Sequence, residues 1–408
     1  MSKSLLNFRV GIVVSAATLS MALLAGCAKD TVAPAEPSAL SGISATADVK
    51  AVGQVIPGRY IVVLKEGSVG LTTEAYEEKI KKVKGVAQGL LKKRGLRPEK
   101  VDRAYGHALQ GFSAELTSEE AAQLAQDASV AYVEPDQVIK VEQTTGGTTT
   151  TSTQSIPYGI KRVGYGSGVG KVAWIIDTGI DLTHPDLTVD KARSRTFITT
   201  GTDAPTANDG NGHGTHVAGT IAAKNNLVGV VGIAAGATVV AVKVLAADGS
   251  GTSSGVISGI DYVSANGKAG DVANMSLGGS TSQALDDAVT RAANKGILFA
   301  VAAGNDAQSA TLHSPARVNN ANVFTISAMN NLDTWASFSC FGNPPVDYCM
   351  PGVSITSTYK GGQYATMSGT SMATPHMAGV LLMRGKSFTR SGYVKSDPDG
   401  KPDPIAHL

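Results

Sequence analysis

Three residues far apart in the chain have the side chains needed for nucleophilic attack on a carbonyl group: Asp177, His213 and Ser371. A serine hydroxyl is a weak nucleophile, so a base must take its proton as it attacks. A histidine can be that base when a carboxylate fixes its tautomer and stabilises the imidazolium. Most isolated serines are surface or capping residues, so the elements around these three residues decide whether they act together.

Each of the three residues stands where a regular element begins or ends. Asp177 follows the apolar run 172–176, which is typical of a strand buried on both faces of a parallel sheet, and such strands carry sites at their carboxyl ends. His213 lies between two glycines that allow close backbone approach and the start of a helix. Ser371 opens a helix-compatible run, 371–383. We predict that these elements bring the three side chains together; for Asp177 alone, a purely structural buried aspartate is the alternative.

A second histidine, His216, follows three residues after His213. Two histidines at this spacing on a helix can bind a metal. The segment lacks, however, the glutamate of the His-Glu-x-x-His motif of zinc proteases. We therefore predict that His216 is a packed structural residue.

Asn305 is a fourth candidate, because it stands at the end of the apolar run 297–303. A side-chain amide in this place can donate a hydrogen bond to the oxyanion that forms when a carbonyl is attacked. Taken alone, the segment is equally compatible with an ordinary turn asparagine after a strand.

Three signatures together carry a family resemblance: Asp-Thr-Gly at 177–179, His-Gly-Thr-His-Val-Ala-Gly-Thr at 213–220 and Gly-Thr-Ser-Met-Ala-Thr-Pro-His at 369–376. In this order they closely resemble the subtilisin-like serine proteases. The resemblance implies a three-layer α/β catalytic domain with a parallel central sheet, and a serine endopeptidase that forms an acyl-enzyme on Ser371. It also implies that Asn305 and the backbone N–H of Ser371 form the oxyanion hole.

Two other functions are alternatives to this interpretation. An α/β-hydrolase esterase needs Gly-x-Ser-x-Gly and the order serine, acid, histidine, whereas Ser371 comes last and precedes Met372-Ala373, so we reject it. A lipid-anchored binding module on an inactive protease scaffold is the alternative from another class. The reason to consider it is the polar segment 384–408, which stands where the family usually has further helical packing.

A protease must also hold an extended peptide, and exposed strand edges can pair with its backbone. Two segments with little side-chain bulk resemble the substrate-lining strands of the family, although plain turns would look the same: Gly249, Ser250, Gly251, and Ser276, Leu277, Gly278. The small residues Ala302, Ala303 and Gly304 are expected to wall a roomy apolar pocket for a large uncharged side chain.

The resemblance also implies a structural calcium site, although the chemistry itself needs no cofactor. Calcium takes six or more oxygen ligands. The side chains assigned to it are those of Gln154, Asp186 and Asn226, and the backbone carbonyls are those of Lys224, Val228 and Val230. A turn without metal is the alternative.

The N-terminus has the features of an export signal. Two basic residues precede the apolar stretch 10–24, which is too short for a comfortable membrane span, and Leu-Ala-Gly-Cys follows at 24–27. This resembles a bacterial lipoprotein signal, 1–26, with Cys27 as the lipid-modified residue of an exported, membrane-anchored precursor; an ordinary secretory peptide is the alternative. Residues 27–54, rich in Ala, Ser, Pro and Thr, are expected to form a flexible tether.

Between the tether and the signatures, residues 55–142 show the pattern β-α-β-β-α-β, a split ferredoxin-like α+β domain. By position and by Tyr-Val-Glu-Pro-Asp at 132–136 it resembles the subtilase propeptide, an inhibitor and folding aid; an unrelated binding domain would show the same pattern. Residues 143–152 are predicted to be an unstructured linker, with self-cleavage between Val141 and Thr153. The catalytic domain then spans 153–408.

The charge of the chain and the positions of its cysteines indicate which partners and which thiol chemistry to expect. A charged fraction of 17% and a net charge of +2 give no reason to expect a nucleic-acid partner. The resemblance implies a monomeric enzyme whose partners are peptide substrates and its own propeptide. Cys340 and Cys349 flank a turn-rich stretch, and thiols of exported domains tend to oxidise. A disulfide between them is expected, with two free buried thiols as the alternative.

Overall fold

A computed structural model describes residues 51–71, 75–141, 144–149 and 153–408. The predicted signal, the lipidation site Cys27 and most of the tether lie outside the described residues. Among the residues that are described, none of the helices combines the length and hydropathy that a membrane crossing requires.

The N-terminal domain has the predicted order of elements, which are β1 (Val55–Leu64), α1 (Tyr76–Lys93), β2 (Val101–Tyr105), β3 (Gly111–Glu115), α2 (Ser118–Ala125) and β4 (Val130–Lys140). Helix α2 begins with a capping box, in which Thr117 and Glu120 satisfy each other's backbone N–H groups. Strand β4 continues through Pro135 as far as Lys140. This extension is what reaches the second domain.

The second domain is larger and contains the remaining elements. In chain order they are β5 (Thr144–Thr149), α3 (Tyr158–Val163), β6 (Gly166–Ser167), β7 (Val172–Asp177), β8 (Thr188–Val189), β9 (Arg195–Thr196), α4 (His213–Ala222), β10 (Ala234–Ala235), β11 (Thr238–Lys243), β12 (Ser250–Thr252), α5 (Ser253–Asn266), β13 (Val272–Met275), β14 (Gly279–Ser280), α6 (Gln283–Ala293), β15 (Leu298–Ala302), β16 (His313–Ser314), β17 (Val323–Met329), β18 (Val346–Pro351), β19 (Ile355–Tyr359), β20 (Gln363–Ser368), α7 (Thr370–Arg384), β21 (Thr389–Tyr393) and β22 (Pro404–His407).

A parallel sheet with strand order β18-β17-β15-β13-β7-β11-β8 forms the middle layer, and β9 also pairs with β11. Side chains of a strand alternate between the two faces of a sheet. Accordingly, Ala173 and Ile175 of β7 pack in the core with α4 and α7, whereas Trp174 and Ile176 pack with α5 and α6. The predicted three-layer α/β architecture is confirmed.

The N-terminal sheet has the order β12-β4-β1-β3-β2, so its edge strand β12 belongs to the larger domain. Val62 and Leu64 of β1 face the domain's own helices, while Ile61 and Val63 face the core around α5 and α6. One sheet therefore serves both the small core and the interface between the domains.

Carboxylates fix this interface at the starts of two helices. Glu134 accepts hydrogen bonds from the Ser282 hydroxyl and the Gln283 N–H before α6, and Asp136 accepts from the N–H and hydroxyl of Ser254 in α5. Helix N-termini present unpaired N–H groups and a positive dipole end, so they favour anionic partners. These contacts fix β4 in place over α5 and α6.

Two less regular segments contain strands, and one expectation about them is wrong. Residues 144–149, predicted to be unstructured, form β5 against β20 in the antiparallel sheet β19-β20-β5. The segment 384–408 is polar overall but folds as the hairpin β21–β22, with Val394 and Ile405 buried beside Met329. A few well-placed apolar residues thus suffice to pack the tail against the sheet.

Candidate active site

The predicted acid and base are in contact inside the larger domain. Asp177 is the last residue of β7 and His213 the first of α4, and the Nδ1 of His213 lies 2.7 Å from the Asp177 Oδ1. Both side chains are fully buried. Gly214 makes this approach feasible, because a Cβ there would lie 2.1 Å from the carbonyl oxygen of Gly179. The carboxylate therefore holds the ring with Nε2 turned away from it.

The predicted nucleophile is at the start of the helix that packs against α4. Ser371 is the second residue of α7, and its hydroxyl donates to the Ser276 carbonyl at 3.1 Å. In return the Ser276 hydroxyl donates to the Ser371 carbonyl at 2.8 Å. That carbonyl needs an outside donor because Pro375, four residues on, has no N–H to complete the helical bond. Ser276 thus positions the first turn of α7.

The hydroxyl of Ser371 does not hydrogen-bond to His213 in this structure. Among the described residues, the buried His213 Nε2 has no hydrogen-bond partner. Hydrogen bonds of catalytic groups are often made only when substrate is in place. A rotation of the Ser371 hydroxyl away from the Ser276 carbonyl is needed before His213 can take its proton.

Asn305 lies immediately beside this turn. Its Oδ1 accepts hydrogen bonds from the N–H of Thr370 at 2.7 Å and from the Thr370 hydroxyl at 2.9 Å. Thr370 directly precedes Ser371, so the amide is anchored one residue from the nucleophile. This anchoring fixes the direction of the amide nitrogen, which is the donor expected for an oxyanion.

An extended segment of the chain itself lies along the predicted substrate strands. The end of β4 pairs antiparallel with β12, with Lys140 opposite Ser250 and Ile139 opposite Gly251. On the other side Lys140 bridges to Gly278, and the N–H of Val141 donates to the Gly249 carbonyl at 3.1 Å. Strand edges predicted to hold a peptide therefore hold one, supplied by the N-terminal domain.

A cavity of about 280 Å³ opens next to this strand. It is lined by Ser371 and Asn305, by the predicted wall residues Ala302, Ala303 and Gly304, and by Leu277 and Gly278 of a predicted substrate strand. Asp306 and His313 line it as well, so the pocket is more polar than expected. Asp306 directly follows Asn305 in the sequence, but no motif pointed to His313.

The predicted calcium ligands also lie together. The amide nitrogen of Gln154 lies 2.9 Å from the Lys224 carbonyl oxygen, 3.3 Å from that of Val230 and 3.4 Å from the Asn226 Oδ1. Asp186 accepts from the Asn226 amide at 2.9 Å and from the Val230 N–H at 3.1 Å.

Two further contacts involve residues of this loop. The Lys224 ammonium donates to the Pro185 carbonyl. The N–H of Val228 donates to the Asn226 Oδ1. Three oxygens, from Lys224, Asn226 and Val230, thus converge on the Gln154 amide nitrogen.

His216 is the packed residue that the sequence predicted. Its Nε2 lies 3.0 Å from the Ile355 carbonyl oxygen and 3.1 Å from that of Ala365. Burial, reinforced by the neighbouring His213, lowers its pKa to about 3, so the ring is neutral. It belongs to no cluster of three or more metal-ligating side chains in the described part of the chain.

The predicted disulfide is absent, and the alternative of two free buried thiols is right. Cys340 packs with Ala303 and Ala316 near the cavity. Cys349, in β18, instead packs beneath the tail hairpin against Met329 and Ile405. The intervening turn directs the two side chains into separate clusters, so their proximity in the sequence does not become proximity in space.

Comparison with known proteins agrees with this geometry. The subtilase family model matches residues 168–385, and the peptidase inhibitor I9 model matches residues 59–142. The chain is 39% identical over 364 residues to the extracellular serine proteinase of Thermus sp. (strain Rt41A), covering 86% of this chain and 84% of that protein. It is 44% identical over 282 residues to the M-protease of Shouchella clausii (strain KSM-K16), covering 67% and 68%.

A solved structure is also similar. The crystal structure of a cold adapted subtilisin-like serine proteinase has a TM-score of 0.52 and 36% identity to this chain, and the match covers 61% of this chain and 97% of that one. The chain belongs to the subtilase family of serine proteases, and it is a serine endopeptidase with an inhibitor-type propeptide domain before its catalytic domain.

Proposed function

We propose that the catalytic domain cleaves peptide bonds through an acyl-enzyme on Ser371, with His213 as general base, Asp177 as its orienting carboxylate and Asn305 in the oxyanion hole. The observation that carries this proposal is the buried Asp177–His213 pair at 2.7 Å, whose remaining ring nitrogen has no hydrogen-bond partner among the described residues. His216 also has one ring nitrogen, Nδ1, without a hydrogen-bond partner among the described residues, but its Nε2 contacts backbone carbonyls rather than a carboxylate. His213 combines a carboxylate on one nitrogen with a proton acceptor on the other, at the edge of the sheet where Ser371 opens its helix.

The reaction then follows from the positions of the groups. The Ser371 Oγ attacks the carbonyl carbon while His213 Nε2 takes the hydroxyl proton, and the amide of Asn305 with the Ser371 N–H stabilises the oxyanion. The C–N bond breaks as His213 returns the proton to the leaving amine. Water, deprotonated by the same histidine, then releases the acid and restores the serine.

The chain is also its own first substrate in this proposal. Residues 138–141 lie along the substrate strands as a peptide would, which supports cleavage between Val141 and Thr153 and continued inhibition by the propeptide until it is degraded. Cys27 precedes this point. If it is lipid-modified in an exported precursor, the cut leaves the anchor with the propeptide and releases the enzyme, as befits a relative of an extracellular proteinase.

The decisive experiment replaces Ser371 with Ala in the full-length precursor. We expect only unprocessed chain and no label from a fluorophosphonate. Ser264→Ala is the matched control, because the Ser264 hydroxyl is buried and has no hydrogen-bond partner in the described part of the chain; it should process normally. Normally processed protein from Ser371→Ala would remove self-cleavage from the proposal.

The lipid anchor is tested separately on the exported precursor. We expect metabolic labelling with a fatty acid to mark the precursor but not the mature enzyme, and Cys27→Ser to abolish the label. N-terminal sequencing of the released form should place its first residue after Val141. Label that persists in Cys27→Ser would contradict the anchor.

We further propose that the Asn226 loop binds calcium for stability rather than chemistry. Rotation of the Gln154 amide by half a turn would add its oxygen to the three already converging there, since the oxygen and nitrogen of an amide exchange places in this way. A ligand that binds only the folded state stabilises it by about 2.7 kcal/mol when present at one hundred times its dissociation constant.

Calorimetry with and without a calcium chelator tests this site. The chelator should lower the melting temperature of the wild type, and Asn226→Ala should lack that shift. Asn225→Ala is the control, because Asn225 is exposed and is not one of the proposed ligands. Equal sensitivity of wild type and Asn226→Ala to the chelator would count against the loop.

A further inference from the structure

Three metal-ligating side chains from separate segments meet beside the substrate cavity. Asp306 follows β15, His313 begins β16, and Cys340 lies in the connection between β17 and β18. The thiol of Cys340 donates to the Asp306 Oδ1 at 2.7 Å, and the His313 Nε2 lies 3.2 Å from the same oxygen. The three ligand atoms all lie within 4.8 Å of one another. We call these three residues the cavity cluster.

The donor set selects a class of metal. Thiolate, imidazole and carboxylate together favour zinc over calcium or magnesium, which take oxygen ligands. Zinc bond lengths of about 2.0–2.3 Å in a tetrahedron place neighbouring ligand atoms about 3.3–3.8 Å apart. The cavity cluster is already within about 1.5 Å of that spacing, so small side-chain rotations bring all three ligands onto one ion.

The surrounding backbone holds the Cys340 sulfur in this position. The N–H of Cys340 donates to the Gly304 carbonyl at 3.0 Å, and a Cβ on Gly304 would lie 2.9 Å from the Cys340 sulfur. Gly304 has a φ of +113°, which favours glycine. The buried His313 Nε2 has the Asp306 carboxylate as its neighbour, but among the described residues it makes no well-aligned hydrogen bond.

We propose that the cavity cluster binds one Zn²⁺ ion, and that the bound ion inhibits the protease by occupying the pocket for the substrate side chain. Three protein ligands leave a fourth coordination position, as in open zinc sites. Asp306 and His313 line the same cavity as Ser371 and Asn305, so the fourth position opens into the cleft. The inhibition half of this proposal rests on the proposed function, whereas the binding half does not.

Cobalt(II) is the probe for binding, because a cobalt–thiolate bond gives a charge-transfer absorption that oxygen ligands do not. We expect the purified chain, in the form in which it accumulates, to take up one thiolate-bound cobalt and to release it to zinc. Cys340→Ser and His313→Gln should lose the band, while Cys349→Ala, which removes the other buried thiol, should keep it. No band in the wild type, or a band that survives in both Cys340→Ser and His313→Gln, would overturn the site.

Peptide hydrolysis tests the inhibition. Zinc at ten times its dissociation constant should raise the apparent KM about tenfold without changing kcat, and Cys340→Ser should be insensitive. Equal inhibition of both proteins, or a fall in kcat alone, contradicts a pocket-filling ion. A chain that binds cobalt as expected but hydrolyses no peptide would refute the proposed function and leave the metal site standing.

Discussion

His213 and His216 are three residues apart on one buried helix, yet they have opposite chemistry. His213 gives one ring nitrogen to the Asp177 carboxylate and keeps the other without a partner in the described part of the chain. His216 instead places its Nε2 against two backbone carbonyls, and its Nδ1 also has no hydrogen-bond partner among the described residues. Residue type, burial and helix are the same, and what differs is the carboxylate, which can stabilise the His213 ring once it is protonated.

Replacing each histidine in turn gives the largest expected effect. His213→Ala should lower kcat about a millionfold, the magnitude established for this residue in subtilisins, while the protein stays folded. His216→Gln should reduce stability but leave kcat within about tenfold, since it removes hydrogen bonds worth about 1 kcal/mol each. Hydrolysis of a chromogenic peptide and melting temperatures measure both. Comparable losses of kcat in the two variants would break the contrast.

Asn305 is a second residue whose hydrogen-bond partners suggest its role. Its side-chain oxygen accepts two hydrogen bonds from Thr370, which hold the amide nitrogen in place. Asn305→Ala should lower kcat by about a hundredfold to a thousandfold with little change in KM, the size of loss known for this donor in subtilisins. Thr370→Val keeps the donor but removes one of the two bonds that anchor its oxygen, so its loss should be smaller. An equal loss in both variants would mean that Asn305 acts only on structure.

Buried neutral histidines also make stability depend on pH. Burial lowers the pKa of His376 to about 4, whereas in the unfolded chain it lies near 6.5. Between these values the unfolded chain binds more protons, so the free energy of unfolding falls as pH drops from 6.5 toward 4. For His376 the loss amounts to up to about 3 kcal/mol.

Urea unfolding of the fluorophosphonate-blocked enzyme at pH 7 and pH 4.5 measures this loss. His376→Leu should flatten the pH dependence, and His407→Gln, at a half-buried position in the tail, serves as the control. An unchanged slope in His376→Leu would show that other groups dominate acid unfolding.

The smallest expected effect concerns the Glu134 carboxylate, both oxygens of which accept hydrogen bonds at the start of α6. Glu134→Gln keeps the shape of the side chain but removes its charge from the start of α6, where a charge is worth about 0.3–1 kcal/mol. The inhibition constant of the separated propeptide should therefore rise by about two- to fivefold. Glu119→Gln, an exposed change on the same domain, should have no effect. Inhibition kinetics with both propeptides would reveal whether the interface depends on this charge.

Motifs and periodicity predicted the parts of the molecule that depend on local rules. The apolar run before Asp177, the glycines around His213 and the run after Ser371 specified a strand end and two helix starts, and parallel-sheet topology then placed them at one edge. The β-α-β-β-α-β order of the propeptide followed from the same signals. His216 could be assigned because a required glutamate was missing.

The features that escaped prediction depend on contacts between distant segments. The threonine-rich stretch of β5 forms a strand because the edge strand β20 is available to pair with it, and the sequence does not show that edge. Cys340 and Cys349 were expected to pair because they are near in sequence, but they pack in two different hydrophobic clusters. Asp306, His313 and Cys340 belong to three connections with no shared motif, so only the folded chain brings them together.

Strand β4 contributes consecutive residues both to the propeptide sheet and to the cleft, and its pairing ends at Val141. Scission beyond that residue would leave every hydrogen bond between the two domains in place. What would change is the tether: an inhibitor held at a fixed effective concentration would become a separate molecule whose occupancy follows mass action. Dilution into the surroundings, rather than the bond-breaking event itself, would then set the moment at which the cleft becomes vacant.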